Sequence, residues 1–126
     1  MRMKKFWLLL LCGLGSGLLS AQPALRFEVT EQNAGKIPEQ GGVVTRTYRY
    51  TNEGDAPLLV IDSKVSCSCT KVEFSKKPLM PGQKAEIIVR YDPRKQPAGK
   101  IYKAIQLFSN DPAGRHILIF RGEVTP

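Results

Sequence analysis

The sequence predicts an all-β fold, an immunoglobulin-like antiparallel β-sandwich of about seven strands. Two observations lead to this prediction. Short runs of β-prone residues recur at roughly ten-residue intervals, with turn-forming residues between them. Nine prolines and eleven glycines punctuate the 126 residues, and after the apolar N-terminal run no stretch holds apolar side chains at helical spacing. A small β-barrel is the alternative, because the pattern of strands alone does not separate the two.

The first 21 residues predict a cleavable signal peptide. A basic start over residues 1–5 precedes a mostly apolar run over residues 6–19, and the small residue Ala21 precedes the expected cut. Because a bilayer span needs about 20 apolar residues, this run is too short for a stable membrane anchor. We therefore expect an exported protein, periplasmic or secreted, in which residues 22–126 form one domain.

The individual strands follow from side-chain alternation and from the turns that separate them. Alternation is clearest in residues 84–92, where Ala85, Ile87 and Val89 lie on one face. Residues 33–38 are rich in turn formers and are predicted to end the first strand. The predicted strands are residues 25–30, 43–51, 58–65, 66–74, 84–92, 101–107 and 116–124.

Positive charge is concentrated in one segment of the chain. Residues 22–126 hold 16 basic and 11 acidic residues, and residues 64–103 alone hold ten basic and three acidic ones. This asymmetry favours an anionic partner, such as a glycan, a lipid head group or an acidic protein, although a solvated face is the plainer alternative. Nucleic acid is not predicted, because the segment lacks interleaved aromatic residues. The candidate anion-facing residues are Lys71, Lys76, Lys77, Arg90, Arg94, Lys95, Lys100 and Lys103.

Cys67 and Cys69 are separated by a single residue. In an extended strand their Cα atoms would lie about 6.6 Å apart, at the outer edge of the range that a disulfide allows. A bridge between them can therefore form at this limit or where a local kink brings the two residues closer. Such a bridge closes a very small loop and gains little stabilisation from it. Three interpretations stay open: a structural disulfide or buried thiol pair, a redox-active pair, and a soft-metal site for an ion such as Cu(I). His116 is the only histidine, and neither a metal nor a cofactor is predicted.

Four short motifs occur in an order that resembles a known family. Residues 50–58 match its strand, Asn, turn, Pro and Leu signature, and residues 66–70 resemble its Ser-Cys-Gly-Cys-Thr motif. Residues 81–91 resemble its Pro-Gly strand, and residues 122–124 match its Gly-Glu-Val ending. This is the exported bacterial family of unknown function numbered 1573, which is similar to Hydin-type and major-sperm-protein-like immunoglobulin domains.

The resemblance implies a β-sandwich without an established activity, and the eukaryotic relatives of the family act as protein-binding modules. Two positions depart from the family pattern. Ser68 replaces the usual glycine between the cysteines, and Ala34 stands where the family often has Phe.

The sequence shows no arranged nucleophile, base and orienting group, so we predict that the protein is not an enzyme. We expect a non-catalytic binding or assembly module of the bacterial cell envelope, whose partner is another protein or an anionic envelope component. A sheet edge that accepts a partner strand is one route to such binding. The alternative is a periplasmic thiol-redox or copper-handling protein that uses Cys67 and Cys69. The oligomeric state is left open.

Overall fold

The computed structural model describes residues 21–126. Residues 1–20, which hold Cys12 and nearly all of the predicted signal peptide, lie outside the described residues. Eight β-strands and no helix are found in the described part, which therefore contains no helix long and apolar enough to cross a membrane. The strands are β1 (Leu25–Phe27), β2 (Glu31–Pro38), β3 (Val44–Asn52), β4 (Val60–Val65), β5 (Thr70–Glu73), β6 (Lys84–Tyr91), β7 (Gly99–Ser109) and β8 (Arg115–Thr125).

The strands form two four-stranded sheets that pack face to face. One has the order β1-β3-β6-β5 and is called here the β3–β6 sheet; the other, β2-β8-β7-β4, is the β7–β8 sheet. All neighbours are antiparallel except β2 and β8. The predicted β-sandwich is confirmed. The buried apolar core consists of Leu25, Ile37, Tyr48, Tyr50, Leu58, Val60, Cys69, Ile87, Val89, Tyr91, Ile105, Leu107, Leu118, Phe120 and Val124.

One hydroxyl joins the two sheets through the middle of this core. Tyr48 on β3 is fully buried, and its O–H donates to the carbonyl oxygen of Ile119 on β8 at 2.6 Å. Burial raises the pKa of Tyr48 to about 12. The aromatic ring therefore contributes apolar area to the core while its polar end finds a backbone acceptor, as buried tyrosines usually do.

The strand β2 was not predicted from the sequence, which indicated that the turn-forming residues 33–38 end the first strand. These residues form instead a parallel edge strand beside β8, with a bulge between Asn33 and Lys36. The Asn33 side chain accepts the Gly35 N–H at 2.8 Å, and Gly35 has a φ of 71°. The turn-forming residues thus build a bulge inside a strand. Beyond the bulge, Ile37 returns to the core with 1% of its surface exposed.

A buried asparagine organises one end of the sandwich. Asn52 is fully buried at the end of β3, and its side-chain oxygen accepts the N–H groups of Ala24 (3.2 Å) and Gly54 (3.0 Å). Its amide donates to the carbonyl oxygens of Ala56 (2.8 Å) and Leu79 (2.9 Å). All four hydrogen-bonding positions of the side chain are therefore used, and they connect three separate segments to β3.

The same end requires a glycine for a close backbone approach. A Cβ atom at Gly54 would lie 2.1 Å from the carbonyl oxygen of Gln22. The segment that precedes β1 runs directly over this turn, because Asp55 donates its N–H to the Gln22 oxygen at 2.9 Å. No larger residue fits at position 54 unless this segment moves.

A buried carboxylate fastens β1 to the β7–β8 turn. Asp111 accepts the Ser109 hydroxyl at 2.6 Å and the Leu25 N–H at 3.3 Å, and the His116 ring lies 3.0 Å away. Burial alone would raise the pKa of Asp111, but the hydrogen bonds from Ser109, His116 and Leu25 outweigh it and hold the pKa below its ordinary value of 3.8. The ionised form is thus the one that the fold stabilises.

The hydrogen bonds of the Asn52 side chain lead us to expect a large loss of stability when this side chain is removed. We expect Asn52→Ala to lower the free energy of unfolding by about 3 kcal/mol, because it leaves buried backbone groups without partners. As a control, Asn33→Ala removes an exposed asparagine with one local hydrogen bond and should cost less than about 1 kcal/mol. Urea unfolding followed by circular dichroism measures both values. Equal losses would contradict the role assigned to Asn52.

The ionised Asp111 carboxylate should make a contribution to the stability of the fold that is lost in acid. Because its native pKa lies below the ordinary value of 3.8, the ionised carboxylate stabilises the fold above that pH. This contribution is lost as the pH falls through the lower native value. We therefore expect the difference in unfolding free energy between the wild type and Asp111→Asn to shrink over that range. A difference that stays constant in denaturant titrations from neutral pH to below pH 3.8 would contradict this explanation.

Candidate functional site

The cysteine pair lies in the turn that carries the chain from β4 to β5, and hence from one sheet to the other. The two sulfur atoms lie at disulfide distance, and the Cα atoms are 5.1 Å apart. This spacing is shorter than in an extended strand because Thr70 donates its N–H to the Cys67 carbonyl at 3.1 Å and closes a turn. The local kink that a bridge favours is therefore present.

Ser68 fits at the tip of this turn although the resembling family has glycine there. Among the non-glycine residues of the described part, Lys95 alone has a positive φ, so Ser68 needs no left-handed backbone. Cys67 is half-buried and Cys69 is buried. The N–H of Cys69 donates to the Cys67 sulfur at 3.2 Å.

A cleft of about 510 Å³ opens beside the cysteine turn at the end of the sandwich opposite Asn52. Cys69 and Ser68 form part of its wall, together with the loop that follows β6. This loop is fixed to the turn because Asp92 donates its N–H to the Cys69 carbonyl at 2.8 Å. The charged side chains of the wall are Lys71, Arg90, Asp92, Arg94 and Lys95. We call this the basic cleft.

Two of the four cations in the basic cleft are already paired. Arg94 bonds Asp92 at 2.7 Å, and this hydrogen bond lowers the pKa of the Asp92 carboxyl to about 2. Arg90 bonds Glu73, which holds the pKa of that carboxyl below its ordinary value.

The other two cations, Lys71 and Lys95, have no carboxylate within ion-pair distance among residues 21–126. The cleft therefore carries a surplus of positive charge at these two lysines.

The fold separates the other members of the predicted basic segment. Lys76 and Lys77 are exposed in the connection between β5 and β6, away from the cleft. Lys100 and Lys103 lie on β7 in the opposite sheet. Residues that form one charged segment in the sequence therefore lie on several separate surfaces, and even Lys100 and Lys103 lie on opposite faces of β7.

The outer faces of the two sheets differ sharply in polarity. On the β3–β6 sheet the outward side chains are almost all polar or charged, and Thr45 pairs with Arg90, Arg49 with Glu86 and Thr51 with Lys84. This face has the composition expected of a sheet surface in water.

The outer face of the β7–β8 sheet carries a group of apolar side chains between polar ones. On this face Ala104 pairs with Ile119, and Gln106 with Ile117. Tyr102 is 64% exposed and Ile117 is 44% exposed. We call this surface the apolar face; it consists of Tyr102, Ala104, Phe108, Ile117 and Ile119. Contiguous exposed apolar side chains of this kind commonly mark interaction sites.

Unpaired cations border one end of the apolar face. The Lys64 ammonium lies over the Phe108 ring, 5.7 Å from its centroid, and Arg115 pairs with Phe108 across β7 and β8. Neither Lys64 nor Arg115 has a carboxylate partner among residues 21–126, whereas Arg121 forms an ion pair with Glu31 at 2.9 Å. Positive charge without a salt bridge therefore lies at the Phe108 end, beside the Asp62 carboxylate, and Lys100 adds a further cation at the Tyr102 end.

The edges of both sheets are poorly suited to accept a partner strand. In the β3–β6 sheet the edge strands β1 and β5 have three and four residues, and in the β7–β8 sheet β2 and β4 each contain a bulge. Short and bulged edges are common protections against added strands. The apolar face is thus a better candidate for partner binding than the sheet edges.

The only histidine is part of a structural cluster. Ser109 donates to Asp111 and His116 also contacts Asp111, so the carboxylate lies between the other two side chains. In a catalytic triad the histidine stands between the serine and the carboxylate. Elsewhere among residues 21–126 no group of three or more His, Cys, Asp or Glu side chains is placed to hold a metal ion.

The apolar face was not identified from the sequence, although a signal for it exists. Residues 117–120 are apolar at four consecutive positions, which places apolar side chains on both faces of β8. Such a run is typical of a strand covered on both sides. In this structure only one side of β8 is covered, by the β3–β6 sheet.

Several solved structures share the fold. A protein of unknown function from Porphyromonas gingivalis W83 matches with a TM-score of 0.71 and 17% identity, over 85% of this chain and 50% of that one. The VesB protease of Vibrio cholerae matches with a TM-score of 0.59 and 19% identity, over 83% of this chain and 32% of the protease. PapD-like domain 7 of human CEP192 matches with a TM-score of 0.54 and 10% identity, over 82% and 85% of the two chains.

At these identities the likeness concerns the fold alone. This chain spans half of the Porphyromonas protein and about a third of the protease, and no curated protein matches it. Residues 25–124, from the first residue of β1 to the penultimate residue of β8, match the family described as a protein of unknown function, DUF1573. The eight-stranded sandwich with its Cys-Ser-Cys turn therefore belongs to the DUF1573 family.

Proposed function

We propose that this protein is a non-catalytic binding module of the bacterial cell envelope and that it docks another protein on the apolar face. The observation that carries this proposal is the contrast between the two outer sheet faces. One is covered with charged residues and threonines, whereas the other leaves Tyr102 64% and Ile117 44% exposed. Exposing such side chains without a partner gains the folded monomer nothing, because their burial is favourable.

The chemistry of the apolar face defines the partner. Tyr102 offers a rigid amphipathic ring of the kind that dominates protein interfaces. Lys64 and Arg115 border Phe108 without carboxylate partners among the described residues. A matching surface would present apolar side chains to the strands and at least one carboxylate to this pair of cations. We therefore propose an acidic protein surface with an apolar centre as the partner.

Location and lack of catalysis are parts of the same proposal. The basic and apolar order of residues 1–21 supports export to the periplasm or the outside of the cell. The central position of Asp111 between Ser109 and His116 supports a structural role for that cluster.

Site-specific photocrosslinking in cells tests the proposed docking surface. A photoreactive residue is placed at Ile117 on the apolar face, and a matched one at Thr47 on the outer face of the other sheet. We expect a discrete adduct at Ile117 alone. Because its yield should depend on the two cations, Lys64→Glu together with Arg115→Glu should lower it by about tenfold. Mass spectrometry then identifies the partner, and binding is repeated with both purified proteins.

The control substitutions Lys84→Glu and Arg49→Glu change the charge equally on the opposite sheet face. The adduct should persist in this variant. Adducts of equal yield at both photoreactive positions, a partner without the expected acidic surface, or an adduct formed only with a second copy of this chain would each contradict the proposal.

A further inference from the structure

We propose that the Cys67–Cys69 bridge undergoes thiol–disulfide exchange with small thiols that carry carboxylates, which the basic cleft attracts. The proposal is independent of the apolar face and concerns the turn that follows the β4 strand. It joins two observations. The bridge closes a loop with only one intervening residue, and it borders a cleft with two unpaired lysines.

The cleft suits a small molecule in size and position. Its volume of about 510 Å³ lies within the range usual for small-ligand sites. Ser68 and Cys69 belong to its wall, so a thiol bound there lies beside the bridge. The bridge itself gains little from loop closure, because a loop this short restricts the unfolded chain very little. Opening the bridge therefore removes little loop-closure stabilisation from the fold.

The charges of the cleft select the kind of thiol. Arg90 and Arg94 are neutralised by Glu73 and Asp92, which leaves Lys71 and Lys95 to pair with a ligand. A carboxylate on the incoming thiol can occupy these two ammonium groups. The same positive surroundings favour the thiolate form of both the attacking and the released sulfur. A cationic thiol would be repelled by the same residues.

The burial of the two cysteines indicates which sulfur is attacked. Cys67 is half-buried, whereas Cys69 is 8% exposed and belongs to the buried core. Cys67 is thus the sulfur that receives the attack, and Cys69, which borders the lysines of the cleft, is the leaving group. The small thiolate bonds to Cys67, the bond between the cysteines breaks, and its electron pair leaves on Cys69.

A second small thiolate then attacks the small-molecule sulfur of the mixed disulfide and releases Cys67. Overall, two acidic thiols are oxidised to one small disulfide and the protein bridge is reduced to two thiols. The two protons of the small thiols pass through water to Cys67 and Cys69. No metal or further cofactor takes part in this exchange.

Reduction kinetics with three thiols test the inference. The purified protein is treated with mercaptoacetate (anionic), 2-mercaptoethanol (neutral) or cysteamine (cationic), and opened bridges are counted by alkylation and mass spectrometry. Each rate is divided by the rate of the same thiol with a small uncharged disulfide, which removes intrinsic differences in nucleophilicity. At low salt we expect mercaptoacetate to exceed 2-mercaptoethanol by about fivefold, with cysteamine slowest. The spread should collapse at about 0.5 M NaCl.

Two variants of equal net charge separate the cleft from the overall charge. Lys71→Gln with Lys95→Gln should remove most of the preference for mercaptoacetate. Lys76→Gln with Lys77→Gln changes two exposed lysines outside the cleft and should leave the preference intact. Equal rates for the three thiols in the wild type would overturn the proposal. So would an equal loss of preference in the two variants, since it would indicate a net-charge effect.

Discussion

The side chain of Asn52 is the constraint on which one end of the sandwich depends. A buried amide must have its donors and acceptors satisfied, and here all of its partners are backbone groups. These partners come from the segment before β1, from the turn after β3 and from Leu79 before β6. The amide therefore fixes the relative positions of chain segments that are distant in sequence. Asp111 reinforces the same end through Leu25, so the polar interactions that order the fold lie together, away from the basic cleft.

The hydrogen bonds of Asn52 and Asp111 lie at one end of the sandwich. They leave the basic cleft at the opposite end, and the apolar face, accessible to a ligand. The basic cleft is lined by the cysteine turn, by the loop that follows β6, and by Lys71 of β5 and Arg90 of β6. The apolar face, in contrast, lies on the longest strands, β7 and β8, which pair over ten consecutive residues. A surface on such regular strands presents Tyr102 and Ile117 in fixed positions, so little conformational entropy is lost when a partner binds. The two surfaces thus differ in the ligand proposed for each: a small anionic thiol at the cleft and a protein on the sheet.

Much of the fold could be predicted because local patterns and long-range packing agree in most strands. In β6 the alternation of Ala85, Ile87 and Val89 with polar residues matches the burial that the structure shows. In β2 the two disagree: glycine and asparagine normally end strands, but pairing with β8 retains them as a bulge. The candidate sites were harder to predict for a related reason. The chain crosses between the sheets after β6, so Lys100 and Lys103 separate from Arg90 although they are close in sequence.

The strand β4 is the element that both candidate surfaces share. Lys64 stands over Phe108 at the border of the apolar face, and three residues later Cys67 begins the turn beside the basic cleft. As an edge strand, β4 is held by β7 on one side alone, and its register already shifts near Ile61. The cysteine bridge fixes the turn at the far end of this weakly held strand. The position of Lys64 against Phe108 therefore depends on the pairing of β4 with β7, in which Lys64 lies opposite Gln106.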